Sequence, residues 1–88
     1  MPKFMSSHTL PPGAMKREQV DQLAEAAKSD PVIKPYRSFC NLAEGKIVCV
    51  MEAPDKKTLA AWFEKMRVPC DDITPVELEG ERGVVKQA

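Results

Sequence analysis

The pattern of apolar residues is strongest between Ile47 and Met51, the longest purely apolar run in the chain. Its β-branched content and the flanking Gly45 and Pro54 are typical of a strand. Alternate side chains of a strand point to opposite sides, and here both sets are apolar: Ile47, Cys49 and Met51 on one side, Val48 and Val50 on the other. We therefore expect this strand to lie in the middle of a sheet, covered on both faces.

The rest of the chain divides into two helices and three weaker strands. Apolar residues recur at helical spacing over Lys16–Lys28 and Lys56–Arg67. Asp55 precedes the second helix and is its expected N-cap. Short segments bounded by proline, glycine or charged residues predict the strands Lys3–Thr9, Tyr36–Leu42 and Ile73–Leu78.

A turn at Ala43–Lys46 joins the second strand to the central strand and leaves two registers open. A two-residue turn would place Cys40 opposite Cys49, whereas a four-residue loop would place Ser38 there. In both registers Cys40 and Cys49 share one face of the sheet, because side chains repeat every second residue.

The order of these elements, βαββαβ, predicts an α+β protein with a ferredoxin-like, four-stranded antiparallel sheet and both helices on one face. Residues 1–80 would form the single domain and 81–88 a C-terminal tail that is loose or adds a short strand to a partner. The helix-free face would keep the apolar side chains of the central strand in water. A homodimer formed through this open face would cover them.

Composition limits the classes of partner. The chain has 88 residues with 13 basic and 13 acidic side chains, a balance that argues against nucleic-acid and membrane-surface binding. No segment approaches the length of a membrane span or the apolar core of a signal peptide. Three cysteines without a CxxC pair are typical of reduced thiols in a cytoplasmic protein.

Several segments together resemble a known family. They are Met5-Ser6-Ser7-His8-Thr9 before a proline–glycine loop, Gly45-Lys46-Ile47-Val48-Cys49 running into Glu52-Ala53-Pro54-Asp55, and Pro75-Val76. The chain is similar over nearly its whole length to a family of small ferredoxin-like proteins defined as a domain of unknown function, which includes a dimeric nickel-binding member. The resemblance implies a ferredoxin-like fold, dimerisation and binding of nickel or another divalent transition metal.

The resemblance implies His8 and Cys49 as metal donors, and Glu52, at the end of the central strand, is a further candidate carboxylate ligand. Members of the family often carry an acidic residue at the position of Ser6 and a histidine at the position of Trp62, and this chain has neither. His8 is its only histidine, and a neutral imidazole suits nickel, copper or zinc. The more ordinary interpretations are a hydrogen-bonded strand histidine, a buried thiol that packs as a small hydrophobe, and a solvated strand-end carboxylate.

Two functions from different classes remain open, and no catalytic residue is assigned. The first is a metal-binding homodimer that uses His8 with cysteine or carboxylate help. The alternative is a small-ligand enzyme of the dimeric α+β barrel type, a cofactor-free oxygenase or isomerase. That enzyme would need a cleft of several hundred Å3 between sheet and helices, reached by His8 or Glu52 as proton acceptor.

Overall fold

Two helices and six strands make up the computed structural model of the protein, which describes residues 1–88. In chain order they are β1 (Lys3–Thr9), α1 (Arg17–Ser29), β2 (Lys34–Asn41), β3 (Lys46–Glu52), α2 (Lys56–Lys65), β4 (Asp72–Pro75), β5 (Leu78–Glu81) and β6 (Val84–Gln87). The predicted α+β class, the two helices and a four-stranded antiparallel sheet are confirmed. Neither helix is long and apolar enough to cross a membrane.

The main sheet has the strand order β2-β3-β1-β4, with all pairs antiparallel. The apolar strand β3 is therefore flanked on both sides, as its composition predicts. The turn between β2 and β3 is the four-residue alternative, since Ser38 pairs with Cys49 and Cys40 pairs with Ile47. The two cysteines accordingly share one face and sit diagonally across the two strands.

Both helices cover the same face of this sheet. The main core holds side chains from the helix-covered face of β1, β3 and β4, from both helices and from the connecting loops: Phe4, Ala27, Ile33, Met51, Ala53, Leu59, Trp62, Phe63, Val68 and Ile73. Helix α2 contributes three of these residues and α1 only one. Because large aromatic side chains bury the most area, α2 anchors the helical layer on the sheet, and α1 buries less apolar area against it.

Helix α2 begins and ends through local backbone chemistry. Asp55 caps its N-terminus, as predicted, and accepts a hydrogen bond from the Thr58 backbone N–H at 2.7 Å. The helix ends at Lys65, two residues before the predicted end. Arg67 has a φ of 60°, and the Val68 N–H donates to the Phe63 carbonyl at 2.9 Å. This left-handed ending satisfies carbonyls of the last turn and directs the chain toward β4.

The predicted last strand, Ile73–Leu78, is wrong in its extent. Strand β4 stops at Pro75, and Leu78 begins β5, which pairs with β6 in a separate two-stranded sheet. The Val76 N–H still donates to the Lys3 carbonyl at 2.9 Å, but β1 begins at Lys3, so the segment beyond has no further β1 residues to pair with. The C-terminal residues pair within their own chain, and the boundary expected after residue 80 falls inside this hairpin.

The β5–β6 hairpin is tied to the helix-free face of the main sheet by ion pairs. Lys3 binds Glu79 at 2.5 Å and stands over the Tyr36 ring, 4.1 Å from its centroid. Arg37 lies 3.7 Å from Glu81. The hairpin thus adjoins one end of the open face, near the start of β1 and β2.

Apolar side chains lie in water over much of the remaining open face. Met5 is 43%, Phe39 63% and Val48 46% exposed. The pairing brings Met5 beside Val50, and Phe39 beside Val48. The exposed patch that the sequence predicts on this face is therefore present in the single chain.

We expect Gly45→Ala to destabilise the protein by roughly 3 kcal/mol, near the upper end for single substitutions. Gly45 is buried with φ at 74°, and a Cβ there would lie 2.0 Å from the Leu10 carbonyl oxygen. Gly13 has the same φ of 74° and open space around it, so Gly13→Ala should cost only about 1 kcal/mol. Urea unfolding of both variants would measure the difference, and equal losses would contradict the predicted clash.

Candidate functional site

A cavity of about 240 Å3 lies between the helices and the covered face of the sheet. Its wall is mainly apolar and includes Leu23, Ala27, Ile47, Met51, Trp62, Phe63 and Val68, together with His8, Cys40 and Cys49. All three of the chemically active side chains in this wall come from strands of the main sheet. The cavity therefore brings the only histidine and two of the three cysteines into one site.

The unequal sizes of the helix side chains account for this space. Helix α2 places Trp62 and Phe63 against the sheet, with their ring centroids 5.4 Å apart in an edge-to-face arrangement. Helix α1 lines the cavity with Leu23, Ala24 and Ala27, and only Ala27 is buried. Alanine side chains fill little of the space beneath a helix, so the α1 side of the layer is incompletely filled.

His8 is held by hydrogen bonds on both ring nitrogens. The side chain is 1% exposed, and its ring packs edge-to-face on Phe63 with centroids 4.5 Å apart. Nδ1 lies 2.8 Å from the Pro69 carbonyl oxygen, which can only accept, so Nδ1 carries a proton. In the neutral ring, Nε2 then accepts from the Ser6 hydroxyl at 2.9 Å. The two contacts fix the orientation and the tautomer of the ring.

Cys49 lies next to this pair. It is the partner of Ser6 in the β1–β3 register, so its thiol shares the covered face with the Ser6 hydroxyl. Burial, reinforced by the neighbouring Cys40 and opposed by hydrogen bonding with Ser6, raises the pKa of Cys49 to about 11. The thiol is therefore protonated at neutral pH and is a weak nucleophile there.

Cys40 completes the set of thiols around the cavity. It is exposed and reaches the wall from β2, and burial of its sulfur raises the pKa of this thiol as well. Cys70 is exposed and lies outside the cavity. Partial burial, and then the charges of Asp72 and Asp71, raise the pKa of Cys70.

Of the three metal donors expected from the sequence, the structure brings together His8 and Cys49 but not Glu52. In the strand register Glu52 lies opposite Lys3 of β1 and Lys34 of β2, and its position in β3 directs its side chain to the helix-free face. The sheet separates its carboxylate from the cavity. The alternation of β3 already contains this information, since residues 49 and 52 are an odd number of positions apart.

Sequence reasoning missed Ser6 and Pro69 as parts of the site. Ser6 could have been found, because residues 6 and 8 of one strand point to the same side. No sequence signal marks the Pro69 carbonyl, which reaches His8 only through the loop after α2.

Comparison with known proteins places this geometry in a family. The model of the family described as nickel responsive protein SCO4226-like matches residues 4–76. The chain belongs to this family. The crystal structure of SCO4226 from Streptomyces coelicolor A3(2) is similar, with a TM-score of 0.71, 24% identity, and coverage of 89% of this chain and 99% of that one. At this identity the likeness shows the fold alone. No curated protein matches the chain significantly.

The family match ends at residue 76, before the β5–β6 hairpin begins at Leu78. The hairpin is therefore a feature of this SCO4226-like chain that the family model does not describe. His8, Cys49 and the cavity wall all lie within the matched residues.

The donor atoms of the site, an imidazole nitrogen and a thiol sulfur, are of types that bind nickel. A metal-binding histidine usually donates its second ring N–H to a carbonyl or carboxylate, which is the contact between His8 and Pro69. Imidazole and thiolate both suit nickel, and binding would release the proton of Cys49. No group of three or more His, Cys, Asp or Glu side chains is arranged to hold an ion, so one chain presents His8 and Cys49 as an incomplete set.

The raised pKa of Cys49 predicts a loss of stability in alkali. The thiol is more acidic in the unfolded chain, near 9.0, than in the folded chain, near 11. Its stabilising contribution is therefore complete below the unfolded pKa and is lost as the pH rises through the folded pKa. Denaturant unfolding at increasing pH should show a loss of about 2 kcal/mol that the Cys49→Ala variant lacks. Parallel pH profiles of the two proteins would contradict the assignment.

Proposed function

We propose that the protein is a nickel-responsive homodimer in which each chain offers His8 and Cys49 to the metal. The order β1-α1-β2-β3-α2-β4, with β3 and β1 central, is the ferredoxin-like arrangement, and we assign the four-stranded part of the chain to it. The name of the family supports a role related to nickel. The observation that carries the proposal for this chain is the hydrogen bond from His8 Nδ1 to the Pro69 carbonyl.

That hydrogen bond makes Nε2 the metal-capable atom of His8. Nε2 faces Ser6, whose hydroxyl is a weak, exchangeable partner compared with a divalent cation. Cys49 is the cross-strand partner of Ser6, and its thiol hydrogen-bonds with the same hydroxyl. The residues of this chain would thus orient one imidazole, supply one thiol and exclude bulk water from both. A bound nickel ion would add a divalent charge that favours the thiolate form of Cys49.

Nickel should raise the melting temperature of metal-free protein. At roughly 100 times the dissociation constant, a ligand stabilises the folded state by about 2.7 kcal/mol. In a domain of this size that corresponds to a rise on the order of 10 °C. Cys49→Ser and His8→Gln should each lose most of the rise, judged against the metal-free melting temperature of the same variant. Differential scanning calorimetry measures both quantities.

The matched control is Glu52→Gln, which removes a carboxylate on the other face of the same strand. It should keep the full nickel-induced rise, because the sheet separates residue 52 from His8. A rise that survives in the His8 and Cys49 variants, or no rise with nickel, zinc or copper in the native protein, would contradict the proposal.

The homodimer is proposed through the open face. Met5, Phe39 and Val48 are exposed side by side there, and an apolar patch of this kind marks an interaction surface. The chain carries no net charge, so repulsion between copies is small. The hairpin adjoins one end of the patch and leaves the rest of it free for a second copy.

Val48→Lys should shift the protein from dimer to monomer. A lysine at the centre of the patch would be buried without a partner in the dimer, which is strongly unfavourable. Sedimentation velocity at micromolar concentrations measures the shift. Ala61→Lys, on an exposed position of α2, should remain dimeric. A native protein that sediments as a monomer over this range would exclude the dimer.

The small-ligand enzyme remains a second candidate because a cavity lies between the sheet and the helices, although it is smaller than the cleft of several hundred Å3 expected for this enzyme. The cavity has a volume of about 240 Å3 and His8 lies in its wall. Trp62 and Phe63 pack in the core without closing it. Glu52, the other expected proton acceptor, lies on the opposite face, so His8 would have to exchange the Ser6 hydroxyl for a substrate. Turnover that is abolished in His8→Gln would favour this candidate over the metal-responsive dimer.

A further inference from the structure

We propose that the cavity between α1 and the sheet is a binding site for a small, uncharged aromatic molecule of one or two rings. The inference concerns binding alone, in metal-free protein, and does not depend on the nickel proposal. It rests on the volume of the cavity, on the side chains of its wall and on the lack of an unpaired charge in that wall.

The volume fits such a ligand. An apolar cavity of about 150 Å3 in another protein stays dry and binds benzene. The present cavity, of about 240 Å3, has room for one substituted ring or two fused rings. A space of this size is large for a chain in which only 14 of 88 residues are buried. Filling it would restore the contacts that the surrounding side chains lack.

The wall favours an aromatic occupant. His8, Phe63 and Trp62 form a run of edge-to-face rings, with centroid distances of 4.5 and 5.4 Å. A further ring can join such a run with its edge or face, which adds to the stabilisation from buried area. The sulfur of Cys49 and the thioether of Met51 lie in the same wall and also pack well against aromatic rings.

The polar groups of the wall already have partners and do not favour a charged or strongly polar ligand. Every buried polar side-chain atom of the protein already has a hydrogen-bond partner. Arg37, which also contributes to the wall, is paired with Glu81 on the side of the hairpin. A carboxylate or an ammonium group in the cavity would therefore lose its hydration without gaining an opposite charge.

The test uses toluene and p-xylene as probes, added to EDTA-treated protein. Trp62 is the only tryptophan and lines the cavity, so its fluorescence reports occupancy directly. We expect a saturable change in its emission and a rise in the melting temperature with both probes. Benzoate and cyclohexane should bind at least tenfold more weakly, the first because of its charge and the second because it lacks a π system.

Cys40→Phe should weaken toluene binding at least tenfold, because Cys40 is an exposed wall residue and a larger side chain there fills the cavity. Ala61→Phe is the matched control: it makes a similar change at an exposed position of α2 outside the cavity wall, and should change the affinity less than twofold. If Cys40→Phe does not fold, judged by circular dichroism, Ala24→Leu provides the same obstruction from α1. No saturable response to either probe would overturn the proposal, as would equal binding of cyclohexane or unchanged binding in the filled variant.

Discussion

The position of β3 between β1 and β2 is the constraint on which the rest of this molecule depends. A strand with apolar side chains on both faces is stable only when each face is covered. The helices cover Ile47 and Met51. On the other face Val48 is 46% exposed and Val50 is half-buried, so a single chain satisfies the requirement on one side only. The proposed dimer would cover this second face.

The covered face carries a second imbalance, between the two helices. Helix α2 supplies Leu59, Trp62 and Phe63 to the core, and α1 supplies Ala27. Small side chains allow a helix to approach a sheet closely, but here the α1 side keeps a cavity of about 240 Å3. The same packing that anchors α2 therefore leaves a ligand-sized space under α1. His8 and both strand cysteines face that space because of the register of β1, β2 and β3.

His8 shows how one residue can serve two purposes in such a site. Its contacts with Ser6 and Pro69 satisfy a buried polar ring and join β1 to the loop after α2. The same contacts orient Nε2 toward Ser6, the cross-strand partner of Cys49. The nickel role proposed from the family membership would use this orientation, and the incomplete donor set within one chain means that further ligands would be needed.

The sequence by itself determined the features that depend on local periodicity. Alternation within a strand placed Cys40 and Cys49 on one face in either register, and Asp55 capped α2 through its own short-range hydrogen bond. The same alternation was enough to put Glu52 on the face opposite Cys49, although its place at the end of the strand made it a candidate metal donor. These properties follow from covalent geometry within a few residues.

Only the tertiary structure decided the features that depend on distant segments. The Pro69 carbonyl meets His8 across 61 positions of sequence, and the cavity depends on how far α1 stands from the sheet. The break after Pro75 and the hairpin from Leu78 to Gln87 depend on which pairing partners remain for the last segment. Distances between elements are set by the packing of all their side chains together, which no local pattern specifies.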